Sequence, residues 1–147
     1  MTVRKMEYGD FDAVLEMMKT FYASDALLIH PEEEVLRKTL QDCLENGPYL
    51  EGYVLEDSGN VVGYSMVAKS YSTETGGLCI WIEDIYICPQ YRGRGMGSDF
   101  LQWIAQMYRG KAVRLRLEAE PEIRKAMQVY EKAGFEVLGY PQLVKPL

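Results

Sequence analysis

The sequence predicts an α/β fold of the α+β type, a twisted and mostly antiparallel sheet flanked by helices, and three observations carry that prediction. Two segments of helical periodicity come first, β-rich segments joined by a short turn follow, and a strand, a glycine-rich loop and a helix then stand in direct succession. In the first segment Gly9 and Asp10 precede Phe11, Val14, Leu15, Met18 and Tyr22 at helical spacing, with Asp10 in position to cap. His30 and Pro31 then open an acidic turn, Glu32 to Glu34, and Leu36, Leu40, Cys43 and Leu44 line one face of a second helix that ends near Asn46 and Gly47. Tyr49 to Leu55 and Val61 to Tyr71 are strands joined by Ser58-Gly59-Asn60, hence an antiparallel hairpin. Leu78 to Ile87 is a third strand, nearly all apolar around Glu83 and Asp84, and Pro89 stops it because proline cannot donate to a ladder. Gln90 to Gly97 is a glycine-rich turn, and Phe100, Leu101, Ile104 and Met107 form a helical stripe closed by Gly110. Val113 to Leu117 alternates apolar residues with Arg114 and Arg116, which places both arginines on one face of a further strand. Pro121 starts a helix through Ala126 and Tyr130, Gly134 closes it, Phe135 to Leu138 is expected as a last full strand, and Leu143 to Lys145 as a short end strand.

Composition bounds the function. A chain of 147 residues, 48% apolar, with no long linker and no internal repeat, fits one domain spanning 1–147. A formal net charge of -6 argues against a sequence-independent nucleic-acid binder, because phosphate neutralisation dominates that affinity, and no apolar run is long enough for a membrane-spanning helix. Three cysteines without CxxC spacing suggest neither a disulfide framework nor a zinc site. With charges where a signal peptide needs an apolar stretch, the expected location is the cytoplasm.

The most informative segment is CPQYRGRGMGSDF, in which Arg92, Gly95 and Gly97 form RxxGxG between a predicted strand and a predicted helix. Glycines let the backbone approach a ligand closely, and the first N–H groups of the following helix lack internal partners, so together they make an anion cradle suited to phosphate. The alternative is a glycine-rich connection that only turns the chain. A dinucleotide-binding GxGxxG is the weaker reading, because the glycines at 93, 95 and 97 have the wrong spacing and follow antiparallel strands.

YRGRGMG after IEDIYICPQ, followed later by Tyr130 in YEKAGF, resembles the GNAT family of N-acetyltransferases over essentially the whole chain. The resemblance implies a sheet splayed at the strand that receives acetyl-CoA. It puts the main-chain groups of Ile85, Tyr86 and Ile87 along the pantetheine arm. The loop opened by Arg92, with Gly93, Arg94, Gly95, Met96, Gly97 and Ser98, surrounds the pyrophosphate. The resemblance also implies acetyl-CoA as cosubstrate, no metal, a small-molecule amine as acceptor and a possible homodimer, for which the C-terminal YPQLVKPL segment could supply an edge strand. The IEDIYI segment is most similar to diamine and polyamine acetyltransferases, whose matching glutamate is implicated in deprotonating the amine. Many members have NxxAxxxY before the helical tyrosine; here Ala126 and Tyr130 match while Ile123 replaces the asparagine.

The expected reaction is direct attack of a primary amine on the thioester, with protein N-terminal acetylation and non-catalytic acyl-CoA sensing as the other readings. For a lysine-like amine of pKa about 10.4, deprotonation at pH 7 costs roughly 4.6 kcal/mol, against about 1 kcal/mol for an α-amine. A base is therefore useful, and Glu83 is the candidate, directly or through water. Its alternative is a strand carboxylate paired with Arg114 or Arg116, and Asp84 competes for either role. Strict alternation puts Glu83, Ile85 and Ile87 on one face and Asp84 and Tyr86 on the other, unless a bulge intervenes. The backbone N–H near Ile85 would stabilise the oxyanion. Tyr130 is the candidate acid, since a phenol keeps its proton at neutral pH; otherwise it packs in the core with Phe135. Tyr22, Tyr71, Tyr86 and Tyr140 are candidates for lining an amine pocket, and Glu32 to Glu34 with Asp25 for attracting a cation. His30, the only histidine, reads as a turn residue, and Cys88 as a buried thiol rather than a nucleophile.

Overall fold

The computed structural model describes residues 1–25, 27–120 and 123–147. Strands β1 (Thr2–Lys5), β2 (Leu50–Asp57), β3 (Asn60–Ser72), β4 (Gly77–Ile87) and β5 (Arg114–Leu117) form one sheet in sequence order. The first three pairings are antiparallel and β4–β5 is parallel. Helices α1 (Phe11–Tyr22) and α2 (Glu33–Leu44) cover one face; α3 (Met96–Tyr108) and α4 (Arg124–Lys132) cover the other. Each face has its own apolar layer: Val14, Leu15, Met18, Leu36 and Leu40 meet Val54, Tyr64 and Met66, whereas Phe100, Leu101 and Ile104 meet Leu55, Val67, Ile80 and Ile82. Adjacent strand residues thus point into different layers, as the pleat requires.

Three details differ from the sequence expectation. Asp10 does not cap α1: its carboxylate takes two bonds from the Arg4 guanidinium, both 2.8 Å, and one from the Glu7 N–H at 2.8 Å, and so braces the turn before the helix. No strand forms at 135–138 or 143–145. Gly134, at φ +88°, and the Phe135 N–H bond to Tyr130 O at 3.0 Å turn the chain off α4, and only Phe135 packs inward, edge-on to Tyr130. Val137, Leu143 and Val144 remain exposed, and Pro141 and Pro146 lack the N–H that a ladder needs. Pro121 lies outside the described residues; α4 is described from Arg124, with Ile123 before it.

The third difference concerns β4. Ser65 pairs with Ile85 and Met66 with Asp84, but the next pair is Val67 with Ile82, so Glu83 has no partner on β3 and forms a bulge. Ile80 and Ile82 pack under α3, and so do Ile85 and Ile87, which an unbroken alternation forbids. The extra residue resets the parity and turns Asp84 and Tyr86 toward α1. Pairing between β4 and β5 runs only from Cys79↔Arg114 to Ile82↔Leu117, so β4 continues past the bulge without β5 beside it.

Candidate active site

Two structures meet at the free end of β4. One is the loop into α3. Gly93 and Gly95 take φ +75° and +83°, the left-handed region that favours glycine, and Gly95 is the residue before the first helical turn. The first bond of the helix runs from Asp99 N–H to Gly95 O, 3.0 Å, which leaves the N–H groups of Met96, Gly97 and Ser98 ahead of the ladder. A Cβ at Gly97 would meet only Ile87 Cδ1, at 3.8 Å, so neither backbone angle nor packing inside the protein demands glycine there. Open space beside three free donors at a positive helix end fits the pyrophosphate of a CoA ester. Arg92 ties the loop to the strand, its Nε donating to Ile87 O at 2.7 Å and its guanidinium 5.4 Å from the centre of the Tyr86 ring. Arg94 donates to Gln90 O at 3.1 Å and lies over Tyr91.

The other structure is a carboxylate and tyrosine cluster on the α1 side. Asp84, 3% exposed, accepts from Tyr22 Oη at 2.7 Å and Tyr64 Oη at 3.1 Å, and Ser65 Oγ donates to its carbonyl at 2.7 Å. Burial raises the Asp84 carboxyl and the two hydroxyls lower it, with burial the larger influence. Glu83 is open to solvent, yet the protein around it, then the neighbouring charges of Asp84 and Glu118, raise its carboxyl above the usual range. The bulge therefore overturns the alternation that grouped Glu83 with Ile85 and Ile87: Glu83 lies near enough to α1 for its charge to raise the Tyr22 hydroxyl. Neither arginine of β5 pairs with it. Arg114 binds Glu74 at 2.9 Å, and Arg116 lies over the Trp81 ring.

Tyr130 sits half-buried on α4 in the layer beneath α3, its hydroxyl without a hydrogen-bond partner among the described residues, and burial raises its pKa. Of the four tyrosines expected around an amine, Tyr22 and Tyr86 do converge, with Phe21 edge-on to both at 5.0 and 6.2 Å. Tyr71 and Tyr140 are each 69% exposed, and Tyr71 pairs with Leu78 at the far end of β4, so neither belongs to that cluster. A shallow cavity of about 350 Å³ lies beside Tyr22, lined by Lys19, His30, Glu32 and Glu33 among others. His30 serves there as a turn residue, its Nδ1 2.6 Å from Tyr22 O. Burial pushes the Cys88 thiol up, which suppresses the nucleophilic thiolate. Among the described residues no group of side chains is arranged to hold a metal ion, and no helix is long and apolar enough to cross a membrane.

Sequence reasoning did not reach Tyr64 or Glu118. Tyr64 was hidden inside a strand of ordinary β composition, whereas alternation from Arg114 and Arg116 could have placed Glu118 on the face that looks toward Glu83.

The family model described as "Acetyltransferase (GNAT) family" matches residues 12–135. The thialysine N-epsilon-acetyltransferase of Mus musculus is 37% identical across 92% of this chain and 84% of its own. The spermine/spermidine N(1)-acetyltransferase of Bacillus subtilis is 27% identical across 66% of this chain and 68% of its own. Among solved structures, a possible acetyltransferase from Clostridium difficile 630 superposes with a TM-score of 0.86 over 99% of this chain and 97% of that one, at 20% identity, a likeness of fold. Fold and family match agree, and the chain belongs to the acetyltransferase (GNAT) family as an N-acetyltransferase.

Proposed function

We propose that this enzyme moves the acetyl group of acetyl-CoA to the primary amine of a small molecule by direct attack, with Glu83 as base and Tyr130 as acid. The observation that carries the reading is the bulge at Glu83, which sets a carboxylate of raised pKa beside a buried carboxylate and an aromatic cluster, at the end of β4 that β5 leaves free. The similarity to thialysine and spermine/spermidine acetyltransferases supports a small amine as acceptor.

When bound, acetyl-CoA supplies the reactive thioester. The open edge of β4 at Ile85, Tyr86 and Ile87 orients the pantetheine arm, and the backbone from Arg92 to Ser98 receives the pyrophosphate. Glu83 takes the proton of the incoming ammonium, directly or through one water, so that a neutral amine attacks. The N–H near Ile85 donates to the carbonyl oxygen as negative charge develops on it. The carbon–sulfur bond breaks as the carbon–nitrogen bond forms, the surplus proton of the new amide nitrogen passes to water, and Tyr130 gives its proton to the departing thiolate and regains one from solvent. The reading extends to a homodimer that covers the exposed side chains of the last segment, and to the cytoplasm, whose reducing conditions suit three free cysteines.

Steady-state kinetics on Glu83→Gln and Tyr130→Phe test the assignment. Each is expected to lower kcat about 100-fold or more with acetyl-CoA affinity unchanged. Wild-type turnover in either variant removes that residue from the mechanism.

A further inference from the structure

The stretch of β4 that β5 leaves free has its own order of donors and acceptors. Cys88 N–H bonds to Val62 O at 2.9 Å, and in an antiparallel ladder bonded pairs alternate with non-bonded ones. Tyr86↔Tyr64 and Asp84↔Met66 are therefore bonded pairs, whereas Ile85↔Ser65 and Ile87↔Gly63 are not. The N–H and C=O of Tyr86 turn to β3, as the collision of a Cβ at Gly63 with Tyr86 O also requires. Those of Ile85 and Ile87 face the open edge. Beyond the bulge that edge presents, in chain order, Ile85 N–H, Ile85 C=O, Ile87 N–H and Ile87 C=O.

The last of these groups already has a partner. After Ile87 the turn Pro89–Tyr91 folds the chain back, and the Arg92 side chain reaches the strand end, its Nε donating to Ile87 O at 2.7 Å. Its guanidinium lies 5.4 Å from the centre of the Tyr86 ring. That ring belongs to a residue 6% exposed and packed against Phe21 and Tyr64, so a fixed aromatic platform holds the arginine over the end of the edge. Just beyond it Gly97, at the start of α3, stands beside Ile87, where a Cβ would meet Ile87 Cδ1 at 3.8 Å. The edge thus runs from Glu83 to the helix end assigned above to the pyrophosphate, and Arg92 closes it on that side.

We infer that Arg92 is a positioning residue, a stop at the end of the β4 edge that fixes the register of the donor arm and so sets the thioester carbonyl at the Ile85 N–H. The inference rests on the acetyl-CoA reading given above and deepens it. Counted from the thioester, the arm carries a carbonyl, then an amide N–H and its C=O, the complement of Ile85 N–H, Ile85 C=O and Ile87 N–H. On a bare edge the arm would also fit one step closer to α3, with the amide N–H on Ile87 O. That shift moves the thioester by one strand repeat, about 7 Å, away from Glu83, where it does not react. With Arg92 engaged on Ile87 O, the productive register is the one left. Arg92 touches no reacting atom, and its role needs the Nε–H donor rather than the charge.

Substitutions of matched length test it. Glutamine Nε2 stands as many bonds from Cα as arginine Nε does, so Arg92→Gln keeps a donor for Ile87 O without the charge, and Arg92→Met keeps the length with neither. Arg92→Met is expected to lower kcat about tenfold or more at saturating acetyl-CoA, while its calorimetric dissociation constant for acetyl-CoA changes by less than about threefold. Arg92→Gln is expected to recover most of that loss. A readout apart from turnover is the infrared band of acetyl-CoA labelled at the thioester carbonyl, recorded without acceptor. In wild type the Ile85 N–H lowers its frequency, and in Arg92→Met a second band appears at the frequency of the unbound thioester. A dissociation constant raised about tenfold or more in both variants at wild-type kcat overturns the stop and makes Arg92 a phosphate ligand. A carbonyl band identical in Arg92→Met and wild type overturns it as well. If Arg92→Met does not fold, Arg92→Gln decides: a single lowered band supports the stop, and a band at the unbound frequency overturns it. Wild type that binds no acetyl-CoA removes the acetyl-CoA reading and the stop together, whereas every other outcome bears on the stop alone.

Discussion

Glu83 and Asp84 are neighbours in the chain with opposite surroundings, and the difference between them is what the site works with. Asp84 is 3% exposed and held by two tyrosine hydroxyls, whereas Glu83, as the unpaired residue of the bulge, reaches solvent. With Glu83 as the proposed base, whose raised carboxyl must be ionised to accept a proton, kcat/KM is expected to fall toward acid pH along a limb set by that group. Asp84→Asn removes one of the charges that raise it, and the acid limb is then expected to move to lower pH. A pH profile of the variant checks this, and an unmoved limb means that Asp84 carries no charge in the wild type. Tyr22→Phe removes the 2.7 Å bond on Asp84 and is expected to leave acetyl-CoA affinity unchanged while altering acceptor KM. The resemblance singled out Glu83, but which of the two carboxylates is buried was not readable from residue types, because only the register of β3 against β4 decides it.

At the level of elements, α3 is held at both ends by different physics. Its N-terminus depends on Gly95 at φ +83°, where a side chain costs about 1–2 kcal/mol, so Gly95→Ala is expected to lower thermal stability and acetyl-CoA affinity together. Gly97→Ala separates the two effects. The new Cβ meets only Ile87 Cδ1, so the melting midpoint should hold while affinity drops, as a thermal melt and a binding titration on the same sample would show. The C-terminus of α3 is pinned to β2: Tyr108 and Tyr53 each donate to Glu51 Oε2 at 2.7 Å, and Lys69 pairs with the other oxygen. Burial by itself raises Glu51, but the Lys69 charge and the two hydroxyls overcome it and bring the carboxyl to about 2, below its ordinary 4.5. A depressed acid stabilises the fold above its unfolded pKa and loses that contribution as pH falls toward the folded value. Denaturation midpoints should therefore decline from pH 4.5 toward pH 2, and the decline should be shallower in Glu51→Gln. The element boundaries from α1 to β5 were legible from periodicity and from glycine and proline. The pairing of Glu51 with Tyr108 was not, since the two residues are far apart in the chain and neither belongs to a motif.

For the whole molecule, acetyl-CoA at about 100 times its dissociation constant is expected to stabilise the fold by about 2.7 kcal/mol and raise the midpoint by roughly 5–10 °C, with NAD giving no shift. A melt without such a shift would mean that the loop from Arg92 to Ser98 only turns the chain. The last segment shows the boundary of what the sequence holds. Its alternation resembles a strand, yet residues 135–147 form none, because a strand exists only where a partner offers hydrogen bonds, and none of the described strands pairs with it. By itself the sequence determined the family and the order and kind of the elements from α1 to α4, since periodicity, turn residues and the RxxGxG spacing are local properties of the chain. Only the tertiary structure decided which carboxylate is exposed and, among the described residues, that Arg116 has no carboxylate partner while Arg114 has one and that β5 leaves β4 free beyond Ile82. Each of these depends on register between segments distant in the chain, where a shift of one residue exchanges the two faces of a sheet.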